Sequence, residues 1–271
     1  MDAKYSRRFD RRNPGCLLFL LDQSGSMSEP MAGTRAMSKA DGVAHAVNDL
    51  LLTIVRRCVK DAGQSPRHYY DIGVIGYGNE ALPLLTGPLT GRKLASVGEI
   101  ADAVLRVEDR GEGPLPVWFE PVAKGRTAMC SALEMAGRVA SGWVRAHPGS
   151  FPPIIINISD GKPTDGDPTI WSERIRKLHT NNGNVLLFNI NLSSGASRPI
   201  SFPAVDDDLP DDYSGLLFHM SSELPEIMRE QARAMNIPIA SKARGFVCNA
   251  DMSAVIRALE IGTSLESLEE Y

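Results

Sequence analysis

The stretch LLFLLDQSGSM, residues 17–27, decides the fold of this chain. Residues 16–21 form a continuous apolar run, which is typical of a strand buried on both faces of a sheet. The run ends abruptly in Asp22, and Ser24 and Ser26 follow at alternate positions. Side chains at alternate positions of one loop can point three oxygens toward a common centre. This strand end therefore predicts either a polar turn or a small cage of oxygen ligands.

A second stretch, PIIINIS at residues 153–159, repeats the pattern. It is the strongest central-strand signal in the chain, and it ends in Asp160 and the turn-rich sequence DGKPTDGDP. Apolar runs of this kind alternate with helical patterns along the whole chain. The expected strands are 16–21, 69–78, 82–85, 153–159, 184–192 and 245–250, and the expected helices are 36–60, 96–107, 128–146, 168–181, 221–235 and 251–262. This alternation predicts an α/β fold, doubly wound, whose mainly parallel central sheet carries helices on both faces.

The length and composition indicate one large globular domain. The chain has 271 residues, of which 43% are hydrophobic and 23% charged, so a sizeable core is expected. We expect a flexible basic arm at 1–14, one domain at 15–263 and a C-terminal tail at 264–271. The net charge of −4 argues against a nucleic-acid surface, and no apolar run approaches the ~18 residues of a membrane span.

The four cysteines are scattered, with no C-x-x-C pair and no histidine at metal-ligand spacing. Each lies in an apolar context, which favours buried free thiols and a cytoplasmic location over disulfides. The cysteines are Cys16, Cys58, Cys130 and Cys248.

A metal site is expected where the predicted strands end. Asp22 and Asp160 each close an apolar strand, and ligands of open parallel sheets collect at the carboxyl ends of the strands. Thr127 lies in a glycine-containing loop just before a helix, where it can act as an N-cap, a metal ligand or both. Two carboxylates and three hydroxyls suit Mg²⁺, with Mn²⁺ or Ca²⁺ as alternatives, and suit zinc poorly. The expected metal residues are Asp22, Ser24, Ser26, Thr127 and Asp160.

At these residues the sequence resembles the von Willebrand factor A-type domains. DQSGSM resembles their D-x-S-x-S motif, GRTAM at 125–129 their threonine loop, and ISDGKPTD at 158–165 their second aspartate loop, in the family's order. The resemblance spans roughly residues 16–262. It implies a Rossmann-like fold and a metal-ion-dependent adhesion site (MIDAS).

In such a site the serines and the threonine bind the metal directly, and the aspartates act directly or through water. The resemblance further implies a non-enzymatic module whose metal captures an acidic residue of a partner protein. Whether the last helix shifts on binding, as in some family members, is left open.

The C-terminal half narrows this resemblance. SGLLFHMSSELPEIMREQ at 214–231 and ARGFVCNADMSAVIRALEIGT at 243–263 resemble bacterial, intracellular members of the tellurium-resistance-associated type. That type implies a cytoplasmic signalling or stress and defence system with protein kinase or phosphatase partners.

Two other functions use the same cation. A phosphatase-like hydrolase would use it as a Lewis acid, but the loops offer no general base, no second metal site and no lysine or arginine clamp. Alternatively, the metal is purely structural. An EF-hand loop at 160–171 is rejected because Lys162 replaces an oxygen ligand and no glutamate closes the loop.

Several residues fit more than one role. Trp118 and Phe119, just before the threonine loop, predict either core or an apolar rim beside the metal. The Arg-rich start predicts a solvated arm, with contact to an acidic partner as the alternative. The five histidines are isolated, which favours surface positions over catalysis.

Overall fold

The computed structural model describes residues 4–34, 37–61, 63–109, 114–193 and 197–263, so the expected tail at 264–271 lies outside the described residues. The strands are β1 Gly15–Asp22, β2 Tyr70–Tyr77, β3 Ala81–Pro83, β4 Ala95–Ser96, β5 Arg106–Asp109, β6 Pro114–Val117, β7 Ile154–Ser159, β8 His179–Thr180, β9 Gly183–Asn184, β10 Leu186–Leu192, β11 Ile200–Ser201 and β12 Phe246–Ala250. The α-helices are α1 Lys39–Arg57, α2 Val97–Asp102, α3 Met129–Ala146, α4 Thr169–Lys177, α5 Asp212–Met220, α6 Glu226–Ala234 and α7 Met252–Thr263. None of these helices is long and apolar enough to cross a lipid bilayer.

The main sheet has the strand order β11-β12-β10-β7-β1-β2-β3, and β4 also pairs with β2. Its five central strands, from β12 to β2, pair in parallel. The short strands β3, β4 and β11 pair antiparallel at the margins. Every residue of β1, β7 and β10 is buried, which explains why these strands lack polar alternation.

Helices cover both faces of the sheet. Helices α1, α2, α6 and α7 contribute to one buried apolar cluster, and α3, α4 and α5 contribute to the other. The predicted doubly wound α/β fold is thereby confirmed.

The connections create a switch in strand order beside β1. The chain leaves β1 through α1 to β2 on one side, and later places β7 on the other side of β1. At such a switch the neighbouring loops diverge and leave a crevice at the carboxyl ends of the strands. Asp22 is the last residue of β1 and Asp160 directly follows β7, so both lie at this crevice.

Some local predictions were wrong. The helix expected at 96–107 ends at Asp102, and the chain then forms β5, which pairs antiparallel with β6. Helix α5 was missed, although Asp211 caps it by accepting from Ser214 N. The helix expected at 221–235 begins only at Glu226, with Pro225 at the cap position, and the hydroxyl of Ser222 instead accepts from Leu187 N at 3.0 Å.

The basic N-terminal stretch contacts the domain through its aromatic residues. Phe9 is buried and packs edge-on against Tyr70 and Phe151. The amide of Tyr5 donates to the carbonyl of Asn182 at 2.6 Å. The arginines of this stretch are exposed to solvent: Arg7, Arg8, Arg11 and Arg12.

Candidate metal centre

The loop after β1 brings its carboxylate and both hydroxyls together. Asp22 is only 3% exposed, and its two oxygens accept from Ser24 N at 2.8 Å and from the Ser159 hydroxyl at 2.6 Å. The Oγ atoms of Ser24 and Ser26 lie 3.0 Å apart. Ser26 donates its hydroxyl hydrogen to Asp160 Oδ1 at 2.6 Å, so Ser24 is the donor to Ser26. Four of the five predicted residues therefore form one hydrogen-bonded cluster.

Thr127 faces the same space from a third loop. An ideal Cβ built on Gly161 would lie 3.7 Å from both Ser26 Oγ and Thr127 Oγ1, so the two hydroxyls line one small cradle. Thr127 is 5% exposed, and its hydroxyl has no hydrogen-bond partner among the residues that the structure describes. An unpaired hydroxyl beside a space that a methyl group would fill is a plausible ligand position.

The loop after β7 clamps the threonine loop. Thr164 N donates to Thr127 O at 2.9 Å, and Thr164 Oγ1 accepts from Thr127 N at 3.2 Å. Asp165 accepts from Cys130 N at 3.0 Å and from Ser131 N at 2.9 Å, and so caps α3 from outside the helix. Of the alternatives for Thr127, the N-cap role is excluded, because Ala128 holds the cap position of α3 without a side-chain bond.

The chemistry of the cluster fits a small hard cation. Mg²⁺ binds oxygen ligands at about 2.1 Å in near-octahedral geometry, whereas Ca²⁺ binds them at about 2.4 Å in a more variable geometry. The Ser24–Ser26 separation of 3.0 Å is that of a hydrogen bond, and both hydroxyls are oxygen donors of the kind that these ions bind. Burial raises the pKa of the Asp22 carboxyl to about 6, despite hydrogen bonds from Ser159 and Ser24. The hydrogen bonds that Asp22 accepts therefore do not fully compensate for the loss of hydration of its charged form.

The described residues contain no group of three or more His, Cys, Asp or Glu side chains suited to a metal ion. A cation held by this cluster would therefore take much of its coordination from hydroxyls. Such a donor set differs from the sulfur and imidazole sites of zinc.

Sequence reasoning missed Lys39, the first residue of α1. It is 3% exposed, and its ammonium group lies 2.7 Å from Asp160 Oδ2 and 2.9 Å from Glu29 Oε2. Lys39 lies on α1, outside the loops that were expected to lack a basic clamp, but its ammonium group contacts the aspartate that follows β7. A lysine at a helix N-terminus opposes the helix dipole, and that anomaly was the available signal.

A buried polar row beneath the cluster was also missed. Tyr77 OH donates to Asn157 Oδ1 at 2.7 Å, Asn157 Nδ2 donates to Asn189 Oδ1 at 2.9 Å, and Asn189 Nδ2 donates to Ser221 Oγ at 2.9 Å. Each of these side chains is buried. The row crosses the sheet on the α3 side and links β2, β7 and β10 below the carboxyl ends of the strands.

The alternatives for Trp118 and Phe119 are resolved in favour of the core, because both are almost fully buried. Asn48 on α1 holds this segment: its Oδ1 accepts from Trp118 N at 2.8 Å and its Nδ2 donates to Phe119 O at 3.2 Å. The indole of Trp118 donates to Ile100 O at 2.6 Å. These residues position the chain that leads to Thr127 and do not form a rim.

Basic side chains accompany the ligand loops at the surface. Lys124 and Arg126 precede Thr127, Lys162 follows Asp160, and all three are exposed. The loops are joined by backbone hydrogen bonds from Lys124 N to Gln23 O at 2.7 Å and from Gly25 N to Gly125 O at 3.2 Å. Three exposed basic residues therefore lie on the loops that carry Thr127 and Asp160.

Cysteine nucleophiles are not available near this cluster. All four cysteines are buried and free, as predicted. Burial raises the pKa of each thiol, to about 12 for Cys58 and Cys130. A thiol with such a pKa is protonated at neutral pH and is a weak nucleophile.

The five histidines make contacts with other groups. His45, His68 and His219 pair with the carboxylates of Asp49, Asp71 and Asp206, His147 stacks on Trp143, and His179 contacts Lys177 O.

No protein-family model matches the chain, and no curated protein matches it in sequence. Among solved structures the chain is similar to BatB, a conserved hypothetical protein from Bacteroides thetaiotaomicron, with 15% identity, 93% of this chain and 100% of that chain covered, and a TM-score of 0.43. It is also similar to the manganese-loaded TRAP protein of Plasmodium vivax, with 16% identity and a TM-score of 0.45. The match covers 92% of this chain and 72% of the TRAP chain.

A further similarity is to proximal thread matrix protein 1 of the mussel byssus, in a structure with a zinc-occupied MIDAS motif. Here the identity is 17%, the coverage 68% of this chain and 37% of that chain, and the TM-score 0.37, so the chain spans well under half of the mussel protein.

Proposed function

We propose that this chain is a von Willebrand factor A-type domain that binds one divalent cation, Mg²⁺ foremost, and uses it to capture an acidic residue of a partner protein. The observation that carries the proposal is the convergence of Asp22, Ser26 and Asp160 at the switch point of the sheet. Ser26 Oγ lies 3.0 Å from Ser24 Oγ and 2.6 Å from Asp160 Oδ1, and the Thr127 hydroxyl faces the same cradle.

The residues divide into two roles. The hydroxyls of Ser24, Ser26 and Thr127 would hold the cation, while the carboxylates of Asp22 and Asp160 balance its charge. Asp160 already takes the hydroxyl hydrogen of Ser26, which turns the Ser26 lone pairs away from the carboxylate. When bound, the cation supplies an electrophilic position that a carboxylate can complete.

The partner is expected to present an acidic side chain. Lys124, Arg126 and Lys162 are exposed on the loops that carry Thr127 and Asp160, so they add positive potential around the cluster. The exposed arginines of the N-terminal stretch are a second place where an acidic partner could be contacted.

The cellular setting belongs to the proposal as well. Four buried free cysteines support a reducing cytoplasm. The sequence resemblance of residues 214–263 supports a bacterial signalling or stress and defence system of the tellurium-resistance-associated type, with a kinase or phosphatase partner.

Calorimetric titration of EDTA-stripped protein with Mg²⁺, Mn²⁺ and Ca²⁺ tests the metal centre. We expect saturable binding of one ion, with Mg²⁺ and Mn²⁺ preferred over Ca²⁺, and its loss in the double variant Ser24→Ala/Ser26→Ala. Ser28→Ala is the matched control, because Ser28 lies in the same loop but its exposed hydroxyl donates only to Gly25 O. Equal binding by both variants would contradict the proposal.

Carboxylate capture needs a separate measurement. With Mn²⁺ bound, the relaxation of water protons reports water molecules on the metal. Acetate should lower this relaxation in the wild-type protein by replacing a bound water, whereas acetamide, which is neutral, should not. Relaxation that is the same with acetate and acetamide would indicate a metal without the proposed capture function.

The competing function is phosphoester hydrolysis with the same cation. Lys39 does not act as a phosphate clamp, because its buried ammonium group is held by Asp160 and Glu29. Turnover of p-nitrophenyl phosphate with Mg²⁺ or Mn²⁺ that disappears in Asp160→Ala would favour the hydrolase instead. A purely structural metal would raise the melting temperature but leave the acetate response absent.

A further inference from the structure

We infer that Lys39 is a tethered counter-ion that competes with the divalent cation for Asp160 and thereby weakens metal binding. The inference rests on the proposed metal centre and adds a residue that sets its affinity. It starts from two contacts of one ammonium group, 2.7 Å to Asp160 Oδ2 and 2.9 Å to Glu29 Oε2.

The position of Lys39 is unfavourable without these carboxylates. Its side chain is 4% exposed and that of Asp160 is 0% exposed, so both charges are removed from water. Lys39 is also the first residue of α1, where the helix dipole repels a cation. The buried ammonium is therefore retained by the acidic side chains around it, and Asp160 is the more deeply buried of the two partners.

The contacts leave Asp160 with both oxygens engaged. Oδ1 accepts from the Ser26 hydroxyl and Oδ2 accepts from Lys39. A divalent ion that approaches this carboxylate must displace the ammonium group or share the carboxylate with it. The ammonium group also repels any cation bound to Ser24 and Ser26, since Ser26 contacts the same carboxylate.

A purely structural role for Lys39 makes the opposite prediction. If the lysine only joins the loops after β1 and β7, its removal would loosen the cradle and weaken metal binding. If it is a counter-ion, its removal frees Asp160 for the metal and strengthens binding. The sign of the change in affinity therefore separates the two roles.

The test compares Mg²⁺ and Mn²⁺ affinities of the EDTA-stripped full chain by calorimetry. Lys39→Met keeps the length of the side chain and removes its charge, and we expect tighter binding by about tenfold or more from the loss of charge repulsion. Lys162→Met is the control, because it removes the same charge from an exposed position two residues from Asp160, and we expect a change of about twofold or less owing to solvent screening. Binding by Lys39→Met that equals or falls below that of the wild type would overturn the inference.

Thermal unfolding provides a second readout. Lys39→Met leaves Asp160 without its cationic partner, so we expect a lower melting temperature in EDTA and a larger increase on adding Mg²⁺ than in the wild type. If the variant is unfolded in EDTA, millimolar Mg²⁺ should restore its circular dichroism and a cooperative transition. Failure of Mg²⁺ to restore the fold overturns the inference.

The outcomes also separate this inference from the proposed function. Equal metal binding by the wild type and Lys39→Met removes the inference and leaves the metal centre intact. Binding by Lys39→Met alone supports the inference in its strongest form, in which the ammonium group replaces the cation. Absence of binding in all three proteins overturns the metal centre and the inference together.

Discussion

The carboxylate of Asp165 caps α3 by accepting hydrogen bonds from the amide and the hydroxyl of Ser131, both at 2.9 Å. Asp165 belongs to the loop that follows β7, and α3 is the helix that follows Thr127. The cap therefore joins the loop of Asp160 to the element that positions Thr127. Two candidate ligands that lie 33 residues apart along the sequence are held as one unit.

Replacing Asp165 by alanine should affect both stability and metal binding. The loss of the cap should lower the free energy of unfolding by about 1–2 kcal/mol. Metal affinity should fall as well, because Thr127 loses its fixed position. Urea unfolding and calorimetry measure the two effects. Asp167→Ala is the control, since Asp167 accepts only from Thr169, the first residue of α4, and does not contact α3. Unchanged metal binding in both variants would contradict this coupling.

Replacing Gly161 by alanine should weaken metal binding without unfolding the protein. The added Cβ would lie 3.7 Å from Ser26 Oγ and Thr127 Oγ1, which is an ordinary contact distance, but it would occupy the cradle. We expect a melting temperature within a few degrees of the wild type and an affinity for Mg²⁺ lower by about tenfold, or ~1.4 kcal/mol. Gly142→Ala, in open space on α3, is the control and should leave affinity unchanged. Undiminished affinity in Gly161→Ala would place the cation elsewhere.

Replacing Asn48 by alanine should destabilise the fold. The substitution leaves the buried amide of Trp118 without an acceptor and the carbonyl of Phe119 without its donor. We expect a loss of about 2–3 kcal/mol in the free energy of unfolding, measured with urea. Thr53→Ala on the same helix removes a hydroxyl that bonds only to Asp49 O, and it should cost much less. Similar losses of unfolding free energy in the two variants would show that the hydrogen bonds of Asn48 to Trp118 and Phe119 contribute no more than an exposed hydroxyl does.

The stability contributed by Glu99 should depend on pH. Hydrogen bonds from Arg92, followed by those from Ser96, lower the pKa of the Glu99 carboxyl from 4.5 to about 2. A carboxyl whose pKa is lower in the folded state stabilises the protein above its unfolded pKa and loses that effect as the pH falls. We expect Glu99→Gln to be less stable than the wild type at pH 7, by about 1 kcal/mol or less because the pair is exposed.

That difference should shrink from about pH 5 toward pH 2. Urea unfolding at several pH values measures it. A difference that stays constant over this range would assign the effect to the hydrogen bonds between Glu99 and Ser96 at the start of α2, and not to the charge of Glu99.

The fold and the side-chain cluster at the strand ends could be predicted from the sequence for the same reason. Apolar runs that end in Asp22 and Asp160 mark buried parallel strands, and parallel strands bring their carboxyl ends to one edge. Adjacent β1 and β7 do place these aspartates together. Residues that lie directly after a buried strand can therefore be assigned to a common site from the sequence alone.

Side-chain contacts between segments that are distant in the sequence could not be predicted in this way. Lys39 falls in the helix expected at 36–60, but nothing in its local sequence indicates Asp160, its partner 121 positions away. Likewise, the capping role of Asp165 requires α3 to lie beside the loop after β7. In each case the partner is defined by tertiary packing.

The paired asparagines of β7 and β10 bear on how the sheet chooses its alignment. Asn157 lies opposite Asn189 in the parallel ladder, and both side chains are buried among strands that are otherwise rich in leucine and isoleucine. A shift of two residues would keep every apolar side chain on its own face, so hydrophobicity alone does not forbid it.

The shift would, however, separate the two amides and leave each without its partner, at a cost of about 1–3 kcal/mol per unsatisfied group. The asparagine pair thus fixes the register between β7 and β10, which their apolar side chains alone would not specify. It fixes how far β7 extends beyond its neighbours, and with that the height at which Asp160 emerges beside Asp22.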